Sequence, residues 1–244
     1  MLGLDLSIAI GAAYSAPAGS TSAIAASSPA AWHRLDNADY LATSTAGTGA
    51  VTNGAAVAYA EDLSGNSRHL TQDTLAYRPA FNSGGWAAFG SGDYLRLPAD
   101  LSVVEGFVVF KGASLQSGVC ALFSETATAR YFIHLSSDEI VSLDGASTAT
   151  RGGAAVGAAA YTPPALTGDN VTLTGANLLE NASFQTLSFA LSSSNFIRNL
   201  GWLLVSAVEF TGPKDIAEVV LYSSRLTTDQ RAGVVAELAA RHGT

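Results

Sequence analysis

Asp215-Ile-Ala-Glu-Val-Val-Leu-Tyr222, followed by Leu226-Thr-Thr-Asp-Gln-Arg-Ala-Gly-Val-Val-Ala-Glu-Leu-Ala-Ala-Arg-His-Gly243, reads as a core strand running into a capped helix. Residues 216 to 222 are apolar or β-branched apart from Glu218, the profile of a strand covered on at least one face. Thr227 and Gln230 have capping-box spacing, in which each side chain satisfies a free amide at the helix start. Val234, Val235, Leu238 and Ala239 make an apolar stripe. Arg241 and His242 suit the negative end of the helix dipole, and Gly243 suits its stop. One short helix therefore closes a chain that is otherwise β. Glu218 reads as structural, bonding a turn or a basic group.

Outward from this segment, composition sets the scale. The 244 residues suffice for one large all-β domain and an arm. Hydrophobic residues make up 48%, but much of that is alanine, and no stretch reaches the roughly 18 to 20 apolar residues of a membrane span. Twelve basic against 20 acidic residues give a net charge of -8, which repels phosphate backbones and argues against a nucleic-acid partner. Cys120 is the only cysteine, so no intrachain disulfide forms, and its apolar surroundings mark a buried inert thiol.

The second informative block is residues 31 to 98. Ala31-Trp-His-Arg-Leu-Asp-Asn-Ala-Asp-Tyr-Leu41 precedes Asp62-Leu-Ser-Gly-Asn-Ser-Arg-His-Leu-Thr-Gln72, Arg78-Pro-Ala-Phe81 and Trp86-Ala-Ala-Phe-Gly-Ser-Gly-Asp-Tyr-Leu-Arg-Leu-Pro98. Ser-Gly-Asn and Ser-Gly-Asp are turns between strand ends. Together with the C-terminal strand and helix, these motifs resemble concanavalin A-like (laminin G-like) jelly-roll domains of phage virion and bacterial surface proteins, and they bracket residues 31 to 243. The resemblance implies an all-β, two-sheet antiparallel jelly-roll sandwich over 31 to 244, with one short C-terminal helix.

Residues 1 to 30 form an Ala/Ser/Gly-rich extended arm ahead of that domain. Leu2, Leu4, Leu6, Ile8 and Ile10 alternate with smaller or polar residues, a strand pattern suited to pairing with a partner's sheet edge. No lysine or arginine precedes Arg34, so the start is not expected to be a secretory signal. Between the diagnostic blocks, 107–111, 119–123, 130–135, 140–143, 186–191 and 202–208 are strand candidates, and 145–183 is a long insertion of weak strand character.

The chemistry of hydrolysis is not apparent. A retaining glycosidase needs two carboxyl groups roughly 5 to 5.5 Å apart, which one strand supplies through alternating acidic residues. Asp138 and Glu139 are adjacent, Asp144 lies in a turn, and Asp215 and Glu218 have opposite parity on a regular strand. Nucleophile elbows and zinc spacings are absent too. No catalytic residue and no cofactor is expected. Asp62, Ser64 and Asn66 place oxygens at i, i+2 and i+4, which suits an Asx turn and leaves calcium as the alternative. Sugar recognition needs aromatic faces and planar polar groups at a rim, which points to Asp93 and Tyr94, with Trp32 and Tyr40; Tyr77 and Trp86 are further aromatics in the same region.

The expectation is a noncatalytic structural or decoration protein of a tailed phage or phage-like particle. Its lectin-like domain is displayed on the particle surface for host glycans, and its arm binds other virion proteins in an oligomeric setting. The alternatives are a secreted bacterial carbohydrate-binding module on the cell surface and an atypical glycoside hydrolase.

Overall fold

The computed structural model describes residues 22–90, 92–112, 120–124, 131–135, 141–143, 147–149, 170–174, 184–201, 204–205, 208–209 and 214–244. The expectations placed on Leu2, Leu4, Leu6, Ile8 and Ile10, on Asp138, Glu139 and Asp144, and on most of 145–183 lie outside these residues, as does the side chain of Cys120.

The long strand Leu95–Gly112 is central, pairing antiparallel with Gln185–Leu200 on one side and Lys214–Tyr222 on the other. Beyond Gln185–Leu200 the sheet continues through Cys120–Ser124, Tyr131–Leu135, Val141–Leu143 and Ser147–Ala149. Beyond Lys214–Tyr222 it continues through Trp86–Phe89 and Ala80–Asn82. Leu41–Ala42, Tyr59–Ala60 and Leu70–Thr71 join the end of Leu95–Gly112, while Ala31–Arg34 pairs with Lys214–Tyr222.

The mostly β class, the antiparallel pairing and the C-terminal helix agree with the sequence reading. The pairing among the described residues runs through one curled 14-stranded sheet, so the hydrogen bonds do not delineate two separate sheets. Of the candidate 202–208, the described residues Leu204–Val205 pair antiparallel with Val208–Glu209. Within 145–183, Asn170–Thr174 pairs with Gln185–Leu200.

Lys214–Tyr222 is buried on both faces. Ile216, Val219 and Leu221 join the larger apolar cluster with Leu70, Leu95, Leu97, Phe110 and Phe123. Ala217, Val220 and Tyr222 join a second cluster with Trp32, Phe107, Val234 and Leu238, which seats the helix Thr228–His242 on the sheet. The helix has the capping box at Thr227 and Gln230, and Gly243 ends it in the left-handed conformation at φ 71°.

A β-bulge directs the one acid in this strand. Ile216 lies opposite Phe110 and Glu218 opposite Val109, leaving Ala217 as the extra residue. Both Ala217 and Glu218 consequently face the helix. Glu218 is fully buried; its carboxylate accepts from Trp32 Nε1 at 2.7 Å, from His242 Nε2 at 2.7 Å and from the Arg241 guanidinium. Burial pushes this carboxyl up, but the His242 bond and the Arg241 charge outweigh it and hold it below the usual glutamate range.

The same helix receives the start of the domain. Ser22 caps the helical turn Ala23–Ala26 and donates to Glu237 at 2.8 Å, and the Ile24 amide meets Glu237 at 3.1 Å. Residues 22 to 30, read from sequence as the end of the arm, thus pack as part of the domain.

Removing one partner of a buried ion pair strands the other charge. Arg241→Met is expected to lower unfolding free energy in urea by about 3 to 5 kcal/mol; a loss below about 1 kcal/mol would show that the pair does not hold the helix.

Candidate functional site

Strand register gathers polar side chains into one line across the sheet. Tyr59 lies opposite Thr71, Thr71 opposite Arg96, Arg96 opposite Asn199, and Asn199 opposite Ser124. Directly opposed residues share a face, so this row crosses five strands. Leu95 and Leu97 on either side of Arg96 point into the core, which sends Arg96 outward.

The row is held by its own hydrogen bonds. Arg96 Nε donates to Asn199 Oδ1 at 3.0 Å, and Asn199 Nδ2 donates to Ser124 Oγ at 3.1 Å. Asn199 and Ser124 are buried, whereas Arg96, Thr71 and Tyr59 are half-buried. The Arg96 guanidinium also lies 5.3 Å from the centre of the Tyr94 ring, two residues earlier on the same face.

Tyr94 in turn supports an aromatic rim. Its ring meets Tyr77 at 5.8 Å and 31°, and its amide donates to the Tyr77 carbonyl at 3.0 Å. Gln72, buried, fixes the loop by donating to the Tyr94 carbonyl and accepting from the Thr74 amide. Arg78 donates to the carbonyls of Gln72, Thr43 and Asp73, tying down the other end. Leu75 and Tyr77 project together from this anchored loop with 67% and 39% of their surface exposed. The arrangement can therefore offer an aromatic face beside planar amide and guanidinium groups.

The residues singled out from sequence are only partly gathered here. Tyr94 belongs to this face. Asp93 closes the preceding turn, accepting from the Gly90 amide at 2.7 Å; burial pushes its carboxyl up, opposed by that bond and by Lys214. Trp32 is committed to Glu218 in the helix layer, and Tyr40 packs against the Arg34 guanidinium at 5.6 Å. Arg96, Thr71, Tyr59 and Asn199 were not singled out. The Leu95-Arg96-Leu97 alternation carries the signal that Arg96 faces outward, but its cross-strand partners depend on register.

The Asp62 loop does not fit calcium. Oδ1 accepts from the Trp32 and Ser64 amides, both at 3.0 Å, while Oδ2 accepts from Ser64 Oγ and the Arg68 amide, both at 2.8 Å. Those four bonds use the carboxylate's acceptor sites. Burial pushes this carboxyl up, and the bonds outweigh it to bring it below the usual aspartate range. Asn66 turns its amide nitrogen to the carbonyls of Pro29 and Ala30, so the loop is an Asx turn locked to the strand Ala31–Arg34.

The bulge also corrects the parity of Asp215 and Glu218. Asp215 lies opposite Lys111 and Glu218 opposite Val109, residues two apart on a regular strand, so both acids share the helix-facing side. Asp215 is half-buried with Lys111 at 3.5 Å, and burial raises its carboxyl against the Lys111 charge.

No protein-family model matches the chain, and no curated protein matches it. Among solved structures it is similar to a mutant GH54 α-L-arabinofuranosidase soaked with 4-nitrophenyl α-L-arabinofuranoside, at 14% identity and a TM-score of 0.54. The match covers 91% of this chain and 65% of that one, so the chain spans less than two thirds of that structure. The likeness is one of fold. It overturns the expectation of a protein without enzymatic activity, because an architecture of this kind belongs to a glycoside hydrolase and the parity argument against paired acids has failed.

Behind the polar row, His33 is buried beside a small cavity of about 10 Å³ lined by Leu70, Leu97, Phe123, Asn199 and Val219. Its Nδ1 donates to the Glu61 carbonyl at 3.1 Å, and Nε2 meets no hydrogen-bond partner among the described residues. Burial lowers its pKa to about 4. The unfolded chain then binds the extra proton between pH 6.5 and 4, so folding stability falls as pH drops through that window. The expected loss reaches roughly 3 kcal/mol at the acid end, read as a falling urea midpoint; His33→Phe should flatten the profile there, and an unchanged profile would contradict this assignment.

Proposed function

We propose that the chain is a carbohydrate-directed module of the concanavalin A-like jelly-roll type, binding a glycan on the face formed by Tyr77, Tyr94, Arg96, Thr71 and Tyr59, which the buried Asn199 and Ser124 support from behind. The observation that carries this reading is the exposed Tyr77 on an anchored loop, adjoining Tyr94 and the Arg96–Asn199 pair. Sugars present CH faces to aromatic rings and hydroxyls to polar side chains, and Tyr77 beside Tyr94 and Arg96 supplies both. The setting we propose is the surface of a phage or phage-like particle, with residues 1 to 21 contacting other particle proteins.

A second reading, glycoside hydrolysis, is favoured by the solved arabinofuranosidase with this fold. Release of nitrophenol from 4-nitrophenyl α-L-arabinofuranoside by the purified chain is the direct assay for it.

For the binding reading, a glycan array followed by affinity electrophoresis should find at least one oligosaccharide that the chain retains. Tyr77→Ala is expected to weaken that binding about tenfold, or ~1.4 kcal/mol, with its urea midpoint near that of the wild type. Undiminished binding by this variant would remove Tyr77 from the site.

A further inference from the structure

Arg96 is compensated differently from six other basic residues of the domain. Arg34, Lys111, Arg231 and Arg241 sit on carboxylates. Arg68 and Arg78 spend guanidinium donors on backbone carbonyls. Arg96 instead donates Nε to a neutral amide oxygen and lies against a ring, and among the described residues no acceptor meets its terminal nitrogens. Its fork is also pre-aimed. Asn199 is fixed from behind by Ser124, the guanidinium lies against the Tyr94 ring, and the buried Gln72 holds the Tyr94 backbone.

A guanidinium held through Nε presents its two terminal nitrogens as parallel donors, the geometry that matches a carboxylate bidentately. Such a group recognises charge and planarity together, which a hydroxyl does not supply. The chain's net charge of -8 disfavours polyanions at long range, so attraction to one must come from a local, directed contact of this sort.

We propose that Arg96 is the anchor for a carboxylate-bearing sugar, and that the ligand of this face is a uronic-acid-containing glycan. This rests on the glycan-binding reading above. The carboxylate of one sugar unit takes the two terminal N–H groups of Arg96, while a neighbouring unit lies over Tyr77. Asn199 and Gln72 are positioning residues that act through Arg96 and Tyr94.

The test uses the full chain in affinity gels containing polygalacturonate, alginate, and each polymer after its carboxyl groups have been reduced to alcohols. At least one uronate polymer should retard the wild type at least tenfold more strongly than its reduced counterpart, and retardation should weaken as salt is raised. Arg96→Gln should bring the ratio of native to reduced binding close to one, whatever its effect on the reduced polymer, and Arg96→Lys should restore part of that ratio. Equal binding to native and reduced polymers, or an Arg96→Gln variant that still discriminates, would overturn the carboxylate assignment and leave the glycan-binding reading standing. Failure to bind any glycan on the array or in the gels would overturn both. An unaltered urea midpoint for Arg96→Gln separates loss of recognition from loss of fold.

Discussion

The buried carboxylate of Glu218 is the constraint around which the molecule closes. A carboxylate at 0% exposure costs several kcal/mol unless its lone pairs are filled and its charge is met. Here Trp32 from the first strand, and Arg241 and His242 from the last helical turn, supply both needs. The contact joins residues near the two ends of the domain, and Glu237 extends it by bonding Arg241, Ser22 and Ile24. The strand Lys214–Tyr222 is thereby sealed on its helix side, and its other side belongs to the larger core.

That closure separates two kinds of polar chemistry. On the helix side, Glu218, Asp215, Arg241 and Lys111 neutralise one another, and their donors and acceptors are directed inward. Across the strands from Tyr59 to Ser124, the polar groups are ordered but not neutralised, and the loop carrying Leu75 and Tyr77 is rigid yet exposed. Rigid polar groups beside exposed aromatic surface are what a recognition site requires, since little ordering entropy remains to be lost on binding. The likeness to an arabinofuranosidase is one of fold, and the assignment of that surface depends on its side chains.

Local rules made much of the framework legible. The Thr227–Gln230 capping box, the apolar stripe at Val234 and Leu238, and the stop at Gly243 are all contained within a few consecutive residues, and the helix formed as read. Glu218 stood out as an acid in an apolar strand and read as structural, bonding a turn or a basic group; that the group is the Arg241–His242 pair ending the helix is visible only in the fold. The bulge at Ala217 did not stand out, because nothing in Asp215-Ile-Ala-Glu marks an extra residue; that one-residue shift reversed the facing of Asp215 relative to Glu218. The row through Arg96 was equally hidden, since it joins residues from 59 to 199 whose alignment depends on long-range register. Trp32 was misread for a related reason: an indole near a turn suits a sugar rim, but its partner lies 186 residues away in sequence. The Asp62 loop had the spacing of oxygen ligands, and only the four inward hydrogen bonds distinguish a saturated Asx turn from an ion site.

The most direct examination of the account is a crystal structure of the chain soaked with an oligouronate. A sugar carboxylate should bridge the two terminal nitrogens of Arg96, with an adjacent ring stacked on Tyr77. Ligand bound at another surface, with Arg96 and Tyr77 left in solvent, would contradict it.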